Sequence, residues 1–382
     1  MAVPFAWRGG KDIGVCFMNK AIYEYTHGGD VYSANGLTDK NTLDFSANIN
    51  PLGIPSSALI AAKQSLVQSH IYPDSGCRRL ITAIAAHENI NPQNIFCSNG
   101  ASDIIFRIVS ARKPGRILVT APSFADYERA GQAFGAEVVY YPLQKENGFN
   151  IDSRIVKAIR ADLPEIVFLC NPNNPTGCLT RNDLVAEITA ACADIDSILV
   201  VDECFLDFVP DADKFTAKPL LGSYKNAVVL KAFTKIFAMP GLRLGYAICY
   251  DEAFLDRLRL CGADWPVSNV AQAAGIAALE NAQEYISKSV SYIDTERNRI
   301  TDALAGMGLT VYPSYANFIF FHCSWNMDLG RELRKRDILV RDCANFAGLE
   351  PGYYRIAVLK QEKNTRLIES LREVWASWQS RL

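Results

Sequence analysis

The stretch EIVFLCNPNNPTG at positions 165–177 decides the fold of this chain. Its first half is a short, continuous apolar run, which predicts a strand buried on both faces, and its second half has the Asn, Pro and Gly of a turn. Helical spacing follows at 182–193 and again at 251–260, so the sequence predicts an α/β fold with a mostly parallel sheet. Five further runs share the length and apolar character of the first half: RILVTAP at 116–122, EVVYYP at 137–142, ILVVDE at 198–203, AVVLKAF at 227–233 and LGYAICY at 244–250.

The pattern changes after Trp265. Residues 267–307 have continuous helical spacing with no strand signal. Strand-like runs then occur at 310–322, 338–341 and 353–359, before a last amphipathic helix at 361–378. This region predicts a smaller α+β domain.

The length of 382 residues predicts two domains, since single domains have about 100 to 200 residues. We expect an N-terminal extension at 1–25 and a segment at 26–71 that joins the small domain. A large domain would cover 72–300 and a small C-terminal domain 301–382. Within the extension, residues 1–17 precede Met18 and are expected to be flexible.

Composition excludes several classes of function. Lys and Arg number 39 against 41 Asp and Glu, so there is no basic surplus for a nucleic acid. No apolar run approaches the roughly 20 residues that span a bilayer, and no signal peptide is evident, so a cytoplasmic location is expected. Eleven cysteines without a CxxC pair predict buried, reduced thiols. The four histidines lack the spacing of metal ligands, and no metal is expected.

Polar residues gather where the predicted strands end, which is where α/β sheets bind ligands. Asp202 ends one strand and Lys235 follows another. Residues 98–102, SNGAS, precede a predicted helix at 103–111, so their amides would face an anion. Each feature alone has an ordinary explanation, such as N-capping by Ser102 or a solvated lysine. The joint pattern favours a ligand site.

The motifs NPNNPTG, VDE and TK…PGLRLGY occur in one order along the chain. Together they resemble the fold-type I, pyridoxal-phosphate-dependent aminotransferases of class I and II, over residues 26–380. The resemblance implies that pyridoxal phosphate is the cofactor, that Lys235 forms a Schiff base with it and that Asp202 pairs with its pyridinium nitrogen. Asn174 would hydrogen-bond the oxygen of the ring. A buried carboxylate suits this place, because it keeps the ring nitrogen protonated and the ring electron-accepting.

The other cofactor contacts follow from the same resemblance. Phe124, in PSFADY, would stack on the ring. Tyr72, in YPDSG, matches a residue that reaches the phosphate of the neighbouring subunit, which implies a homodimer with active sites at the interface. A helix N-terminus and an arginine fork suit a dianionic phosphate. The groups expected to hold it are Gly100, Ala101, Ser102, Thr234 and Arg243.

Three stretches resemble one group within this superfamily, the L-threonine-O-3-phosphate decarboxylases of cobalamin synthesis. They are THGGDVY at 26–32, LDFSANINPLGIP at 43–55 and RDCANFAGLEPGYYRIAV at 341–358. Phe205, beside the cofactor, stands where most aminotransferases of the class have a tyrosine, and phenylalanine cannot donate a hydrogen bond. A purely packing role for Phe205 stays open.

The resemblance to the decarboxylases also implies a substrate pocket. Arg355 would clamp the α-carboxylate, for which a bidentate guanidinium is suited. Arg341 and His27 would bind the phosphate of the substrate, with Asn48 and Asn174 lining the same cleft. The ordinary alternatives are a loop position for His27 and, for Arg341, a surface salt bridge with Asp342 or Asp337.

The expected activity is therefore decarboxylation of L-threonine O-3-phosphate to (R)-1-amino-2-propanol O-phosphate for the cobalamin nucleotide loop. L-serine O-phosphate, which would give ethanolamine phosphate, is one methyl smaller and stays open as a substrate. A histidinol-phosphate-type aminotransferase is the alternative enzyme. A non-catalytic ligand-binding module is a further alternative, although a binder has no need of Lys235.

Overall fold

The structure is a computed structural model that describes Gly28, Gly29 and residues 42–380. The predicted extension at 1–25 lies outside the described residues. None of the helices within 42–380 is long and apolar enough to cross a membrane. The predicted domain boundaries stay predictions.

Twelve α-helices occur in the described part of the chain. They are α1 Ser56–Ser65, α2 Arg78–Glu88, α3 Gly100–Arg112, α4 Ala125–Ala133, α5 Arg154–Asp162, α6 Asn182–Asp194, α7 Phe233–Ile236, α8 Glu252–Leu260, α9 Asn269–Leu279, α10 Ala282–Gly306, α11 Leu329–Arg334 and α12 Gln361–Gln379. Short 3-10 turns connect some of them, at Leu66–Gln68, Pro92–Asn94, Lys145–Asn147, Leu206–Phe208, Ala212–Lys214, Lys218–Gly222 and Pro240–Leu242.

The strands form three sheets. They are β1 Leu43–Asp44, β2 Ile95–Ser98, β3 Arg116–Ala121, β4 Glu137–Pro142, β5 Ile166–Cys170, β6 Ile198–Asp202, β7 Ala227–Ala232, β8 Gly245–Cys249, β9 Thr310–Val311, β10 Phe318–His322, β11 Ile338–Leu339, β12 Arg341–Asp342 and β13 Tyr353–Ala357.

The central sheet has seven strands in the order β2-β8-β7-β6-β5-β3-β4. Strand β8 is antiparallel to both β7 and β2, and the other pairs are parallel. The predicted mostly parallel sheet is therefore confirmed. Strands β5 and β7 are buried throughout, as their continuous apolar runs predict. Because β5, β6 and β7 are parallel neighbours, the turn after β5, Asp202 and α7 lie at one edge of this sheet.

Four sequence expectations differ from the structure. Strand β4 is not buried on both faces, because it is the last strand of the sheet and has a partner on one side only. The region at 267–307 is helical as expected but consists of two helices, α9 and α10, separated at 280–281. The expected strand at 310–322 is interrupted between β9 and β10, and the one at 338–341 is divided into β11 and β12. Strand β2 was not expected.

The C-terminal strands form a four-stranded antiparallel sheet in the order β12-β13-β10-β9. The N-terminal strand β1 pairs in parallel with β11, and Phe45 continues this contact by accepting a hydrogen bond from the Ala357 N–H at 2.8 Å. Residues 43–45 therefore lie beside the C-terminal part of the chain, next to the strand that holds Arg355.

A buried group of charges lies where α2 meets the central sheet. Glu88 accepts from Lys218 at 2.6 Å and from Lys231 at 3.1 Å, and Lys231 also donates to Asp207 at 2.8 Å. The hydroxyl of Tyr246 donates to Glu88 as well. Burial alone would raise the pKa of Glu88, yet the two lysines hold it well below its usual range. The network therefore ties β7 and β8 to α2 behind the edge of the sheet.

Candidate active site

Lys235 lies in the short helix α7, directly after β7, and its side chain is partly buried. Its backbone carbonyl accepts from the Asn50 N–H at 3.2 Å, and its Nζ is 5.8 Å from the centre of the Phe205 ring. Burial, and then the nearby guanidinium of Arg355, lower the pKa of Lys235 to about 8. The fraction of this amine that is neutral near physiological pH, and so able to act as a nucleophile, is therefore larger than for an ordinary lysine.

Asp202 ends β6 as a buried carboxylate with two hydrogen-bond donors. Its Oδ2 accepts from the hydroxyl of Tyr127 at 2.7 Å and its Oδ1 from the Cys204 N–H at 3.0 Å. Tyr127 is itself fully buried and stacks on Phe168, with ring centres 4.8 Å apart. Sequence analysis did not single out Tyr127. Two features of the sequence could have indicated Tyr127. It lies three residues after Phe124, and a buried carboxylate such as Asp202 needs hydrogen-bond donors.

The N-terminus of α3 and the Arg243 side chain are brought together by two glycines. A Cβ on Gly100, whose φ is +81°, would lie 2.8 Å from Nη2 of Arg243. A Cβ on Gly245 would lie 2.5 Å from the Ala101 backbone nitrogen. Strand β8 can therefore pass directly beside the first turn of α3 only because residue 245 is a glycine and has no side chain. The exposed guanidinium of Arg243 and the free helix amides together make a site for an anion.

Two other residues that were expected to bind a phosphate lie in the first turn of α3 and on α7. Thr234 is buried in α7, and Ser102 is partly buried in the first turn of α3. The helix begins at Gly100, so the expected start at 103 and the alternative of N-capping by Ser102 are both wrong. Asn99 occupies the N-cap position.

Arg355 on β13 is buried and contacts three parts of the chain. It donates to Asn174 Oδ1 and, at 2.7 Å, to the Ser46 carbonyl. The Asn48 carboxamide, with its oxygen turned towards Arg355, accepts from Nε at 3.2 Å. Burial lowers the pKa of Arg355 to about 10, and the charge of Arg341 acts in the same direction. The structure thus brings Arg355, Asn174 and Asn48 into one cleft.

Arg341 on β12 lies directly opposite Arg355 on the neighbouring antiparallel strand. Only 8% of Arg341 and 5% of Arg355 is exposed. Cross-strand neighbours in register are close, and like charges in such a pair are unfavourable. The alternative of a surface salt bridge for Arg341 is wrong, because the residue is buried and donates to the backbone carbonyl of Asp342. Two buried guanidinium groups on adjacent strands suit a ligand with anionic groups.

Three predicted site residues need a separate account. Phe205 lies near Lys235 and also packs edge-on against Phe318, with ring centres 5.2 Å apart, so its packing role is real. Tyr72 is not drawn into the cleft of its own chain, since it is 77% exposed and stacks on Trp265. His27 lies outside the described residues.

The comparisons with known proteins agree with this geometry. A family model described as aminotransferase class I and II matches residues 40–371, and the chain belongs to this family. The threonine-phosphate decarboxylase of Salmonella typhimurium is 36% identical over 359 residues, which is 93% of this chain and 98% of that protein. The histidinol-phosphate aminotransferase of Symbiobacterium thermophilum is 34% identical over 355 residues, 90% of this chain and 92% of that one.

A solved structure gives the same fold. The histidinol-phosphate aminotransferase from Clostridium acetobutylicum superimposes with a TM-score of 0.82 at 31% identity, covering 88% of this chain and 99% of that chain. The expected fold-type I architecture is therefore confirmed.

Replacing Gly245 by Ala tests the close approach at the helix N-terminus. The new Cβ would overlap the Ala101 backbone, so we expect Gly245→Ala to lower the free energy of unfolding by about 1 to 3 kcal/mol. Urea denaturation measures this loss. Gly222→Ala is the matched control, because no atom lies within 4 Å of its Cβ position. Equal stability of the two variants would contradict the crowding at Gly245.

Proposed function

We propose that this chain is a pyridoxal-phosphate-dependent decarboxylase of L-threonine O-3-phosphate. The observation that carries the proposal is the buried pair of Arg341 and Arg355, held opposite each other on adjacent strands. A substrate with a phosphate at one end and an α-carboxylate at the other has one anionic group for each of these arginines. Histidinol phosphate has a phosphate but no carboxylate, so it satisfies only one of them. The similarity to the decarboxylase of Salmonella typhimurium supports the same choice.

The residues present fit pyridoxal phosphate. Its phosphate group suits the N-terminus of α3. There the absence of a side chain at Gly245 lets β8 pass close to the helix, and the guanidinium of Arg243 lies beside Gly100. The buried, doubly hydrogen-bonded Asp202 suits its ring nitrogen, with Asn174 for the ring oxygen and Phe124 for the ring face. Lys235, whose pKa is lowered to about 8, suits its aldehyde. When bound, this cofactor accepts the electron pair that remains on the substrate after CO2 departs.

The residues of the chain then divide the work on the substrate. Arg355 binds the α-carboxylate, and its neighbour Arg341 binds the phosphate with help from His27, while Asn48 fixes the direction of the Arg355 fork. Lys235 holds the proton that is returned to the α-carbon. The Phe205 ring lies 5.8 Å from Nζ of Lys235 and offers no hydroxyl, so it excludes water without competing for that proton.

Release of CO2 tests the proposed reaction directly. The protein supplied with pyridoxal phosphate should release CO2 from O-phospho-L-threonine and form one equivalent of amino-alcohol phosphate without any oxo acid. The same assay with O-phospho-L-serine measures the preference between the two. Formation of a 2-oxo acid only when an oxo co-substrate is added would instead identify an aminotransferase.

The same assay can be run on Arg341→Met. We expect KM for the phosphorylated substrate to rise about ten- to hundredfold, which corresponds to the loss of a charge-assisted hydrogen bond. Affinity for the cofactor should stay unchanged. An equal loss of cofactor binding would contradict the substrate role of Arg341.

The pH dependence of cofactor uptake tests the environment of Lys235. The neutral amine is the reactive form, so uptake by the apoprotein should accelerate as pH rises towards about 8 and level off above it. Burial and the charge of Arg355 both lower this pKa, and removal of the charge in Arg355→Met should move the midpoint to higher pH. Quenching of protein fluorescence reports uptake. Arg154→Met, at an exposed arginine, is the control, and a midpoint shared by all three proteins would contradict the assignment.

The homodimer is also part of the proposal. Tyr72 and Trp265 stack on the surface beside α1, and Asn269 at the start of α9 donates to the carbonyls of Gln68 and Ile71. A row of exposed apolar side chains lies in the same part of the chain as this stack. Such a surface is typical of protein interfaces. Its members are Leu59, Ile60, Leu66, Val67 and Ile71. A second copy of the chain on this surface would also place Tyr72 within reach of a neighbouring cofactor phosphate.

Val67→Asp tests the dimer surface. Val67 is 75% exposed, so the substitution should leave the fold intact but place a charge in the interface. We expect sedimentation to show a monomer, together with weaker cofactor binding because Tyr72 is withdrawn. Leu163→Asp, an exposed leucine at the end of α5, should stay dimeric. A dimeric Val67→Asp protein would exclude this surface.

We further propose a cytoplasmic enzyme whose product enters the cobalamin nucleotide loop. Support for the compartment comes from the cysteines, since the ten within the described residues are all free and nine of them are buried. Support for the pathway comes from the resemblance to the decarboxylases of cobalamin synthesis.

A further inference from the structure

The side chain of Tyr127 joins helix α4 to two strands of the central sheet. Its hydroxyl donates to Oδ2 of Asp202 at the end of β6, at 2.7 Å. Its ring stacks on Phe168 of β5, with ring centres 4.8 Å apart and an angle of 9° between the planes. The whole residue is buried. A buried ring in contact with two strands has a defined position, so the hydroxyl approaches the Asp202 carboxylate from a fixed direction.

The same ring contacts Phe124, whose side chain is expected to cover the face of the cofactor ring. The two rings meet edge to face, with centres 5.6 Å apart and an angle of 79° between the planes. Tyr127 therefore contacts two residues that are expected to bind the cofactor, one through its hydroxyl and the other through its ring. A phenylalanine at this position would keep the ring contacts and lose the hydrogen bond, so it separates the two roles.

The Tyr127 hydroxyl remains a hydrogen-bond donor across the physiological pH range. Burial, and then the nearby carboxylate of Asp202, hold the pKa of Tyr127 well above its usual value. Burial also raises the pKa of the thiols of Cys170, which lies opposite Asp202 on β5, and of Cys204. Tyr127 and both thiols are therefore neutral. A hydrogen bond from a neutral donor stabilises the negative charge of a buried carboxylate.

From this geometry we propose that Tyr127 is a positioning residue for the cofactor, whose hydroxyl holds the Asp202 carboxylate charged and aimed at the ring nitrogen. The proton that lies between Asp202 and the ring nitrogen then stays on the nitrogen, where it makes the ring electron-accepting. A carboxylate that lacks this donor is held less firmly and binds a proton more readily. The inference concerns the cofactor rather than the substrate, so it goes beyond the proposed reaction and applies equally to a decarboxylase and an aminotransferase.

The first test compares the binding of two ligands by the apoproteins of the wild type and Tyr127→Phe. One ligand is pyridoxal phosphate, and the other is an analogue in which a C–H group replaces the ring nitrogen. Calorimetry should show an affinity for pyridoxal phosphate about five- to fiftyfold lower in Tyr127→Phe, because a hydrogen bond to a charged group is lost. The analogue presents no nitrogen to Asp202, so its affinity should change by less than about twofold.

The second test locates the proton. NMR of pyridoxal phosphate with a heavy-nitrogen label in its ring distinguishes a protonated ring nitrogen from an unprotonated one. The bound cofactor should show the protonated signal in the wild type, and in Tyr127→Phe the signal should move towards that of the unprotonated nitrogen. A loss of packing would not produce this shift, since phenylalanine keeps the contacts with Phe168 and Phe124.

Tyr141→Phe is the matched control. Tyr141, on the edge strand β4, donates its hydroxyl to Oδ1 of Asp152 at 3.2 Å, and neither residue is among those expected to bind the cofactor. This variant should match the wild type in both tests. An unchanged nitrogen signal in Tyr127→Phe would overturn the inference, and so would an equal loss of affinity for the two ligands. Neither measurement depends on CO2 release, so a failure of the proposed decarboxylation leaves this comparison decisive.

Discussion

The guanidinium of Arg355 is the interaction on which the site depends. It joins the turn after β5 to the N-terminal segment through Asn174 and the Ser46 carbonyl, and its strand pairs with β12, where Arg341 lies opposite. It also acts on Lys235, whose pKa it helps to lower. One buried cation therefore couples the central sheet to the C-terminal sheet and adjusts the reactivity of the lysine between them.

A second set of charges stabilises the other side of the same edge. Behind the strands that carry the site, Lys231 and Tyr246 donate to Glu88, and Lys231 also donates to Asp207. Breaking a buried pair of this kind costs about 3 to 5 kcal/mol. The strands before Lys235 and after Arg243 are thus fixed by paired charges, while the cleft in front of them holds the buried guanidinium groups of Arg341 and Arg355. Stability and ligand binding are served by different groups on opposite sides of β7.

Much of this arrangement could be predicted from the sequence. Continuous apolar runs are a local property, so β5, β6 and β7 were predicted, and so was the convergence of Asp202 and Lys235 at their ends. Features that depend on which neighbour a segment meets were not predicted. Strand β4 is half exposed because it is an edge strand, and the run at 338–341 divides because β11 pairs with β1 while β12 pairs with β13. Tyr127 belongs to the same group, since its partner Asp202 is distant in sequence.

Lys231 on β7 and Lys235 on α7 are close in sequence, yet the pKa values of their amines are shifted in opposite directions. Burial alone would lower the pKa of Lys231, but the carboxylates of Asp207 and Glu88 raise it well above its usual value. Burial and neighbouring cations lower that of Lys235. Near neutral pH an amine-directed electrophile therefore meets a shielded ammonium at Lys231 and, at Lys235, an amine with a reactive neutral fraction. The fold thus provides chemoselectivity between two otherwise identical side chains, which makes Lys235 suitable for covalent capture by aldehydes or activated esters.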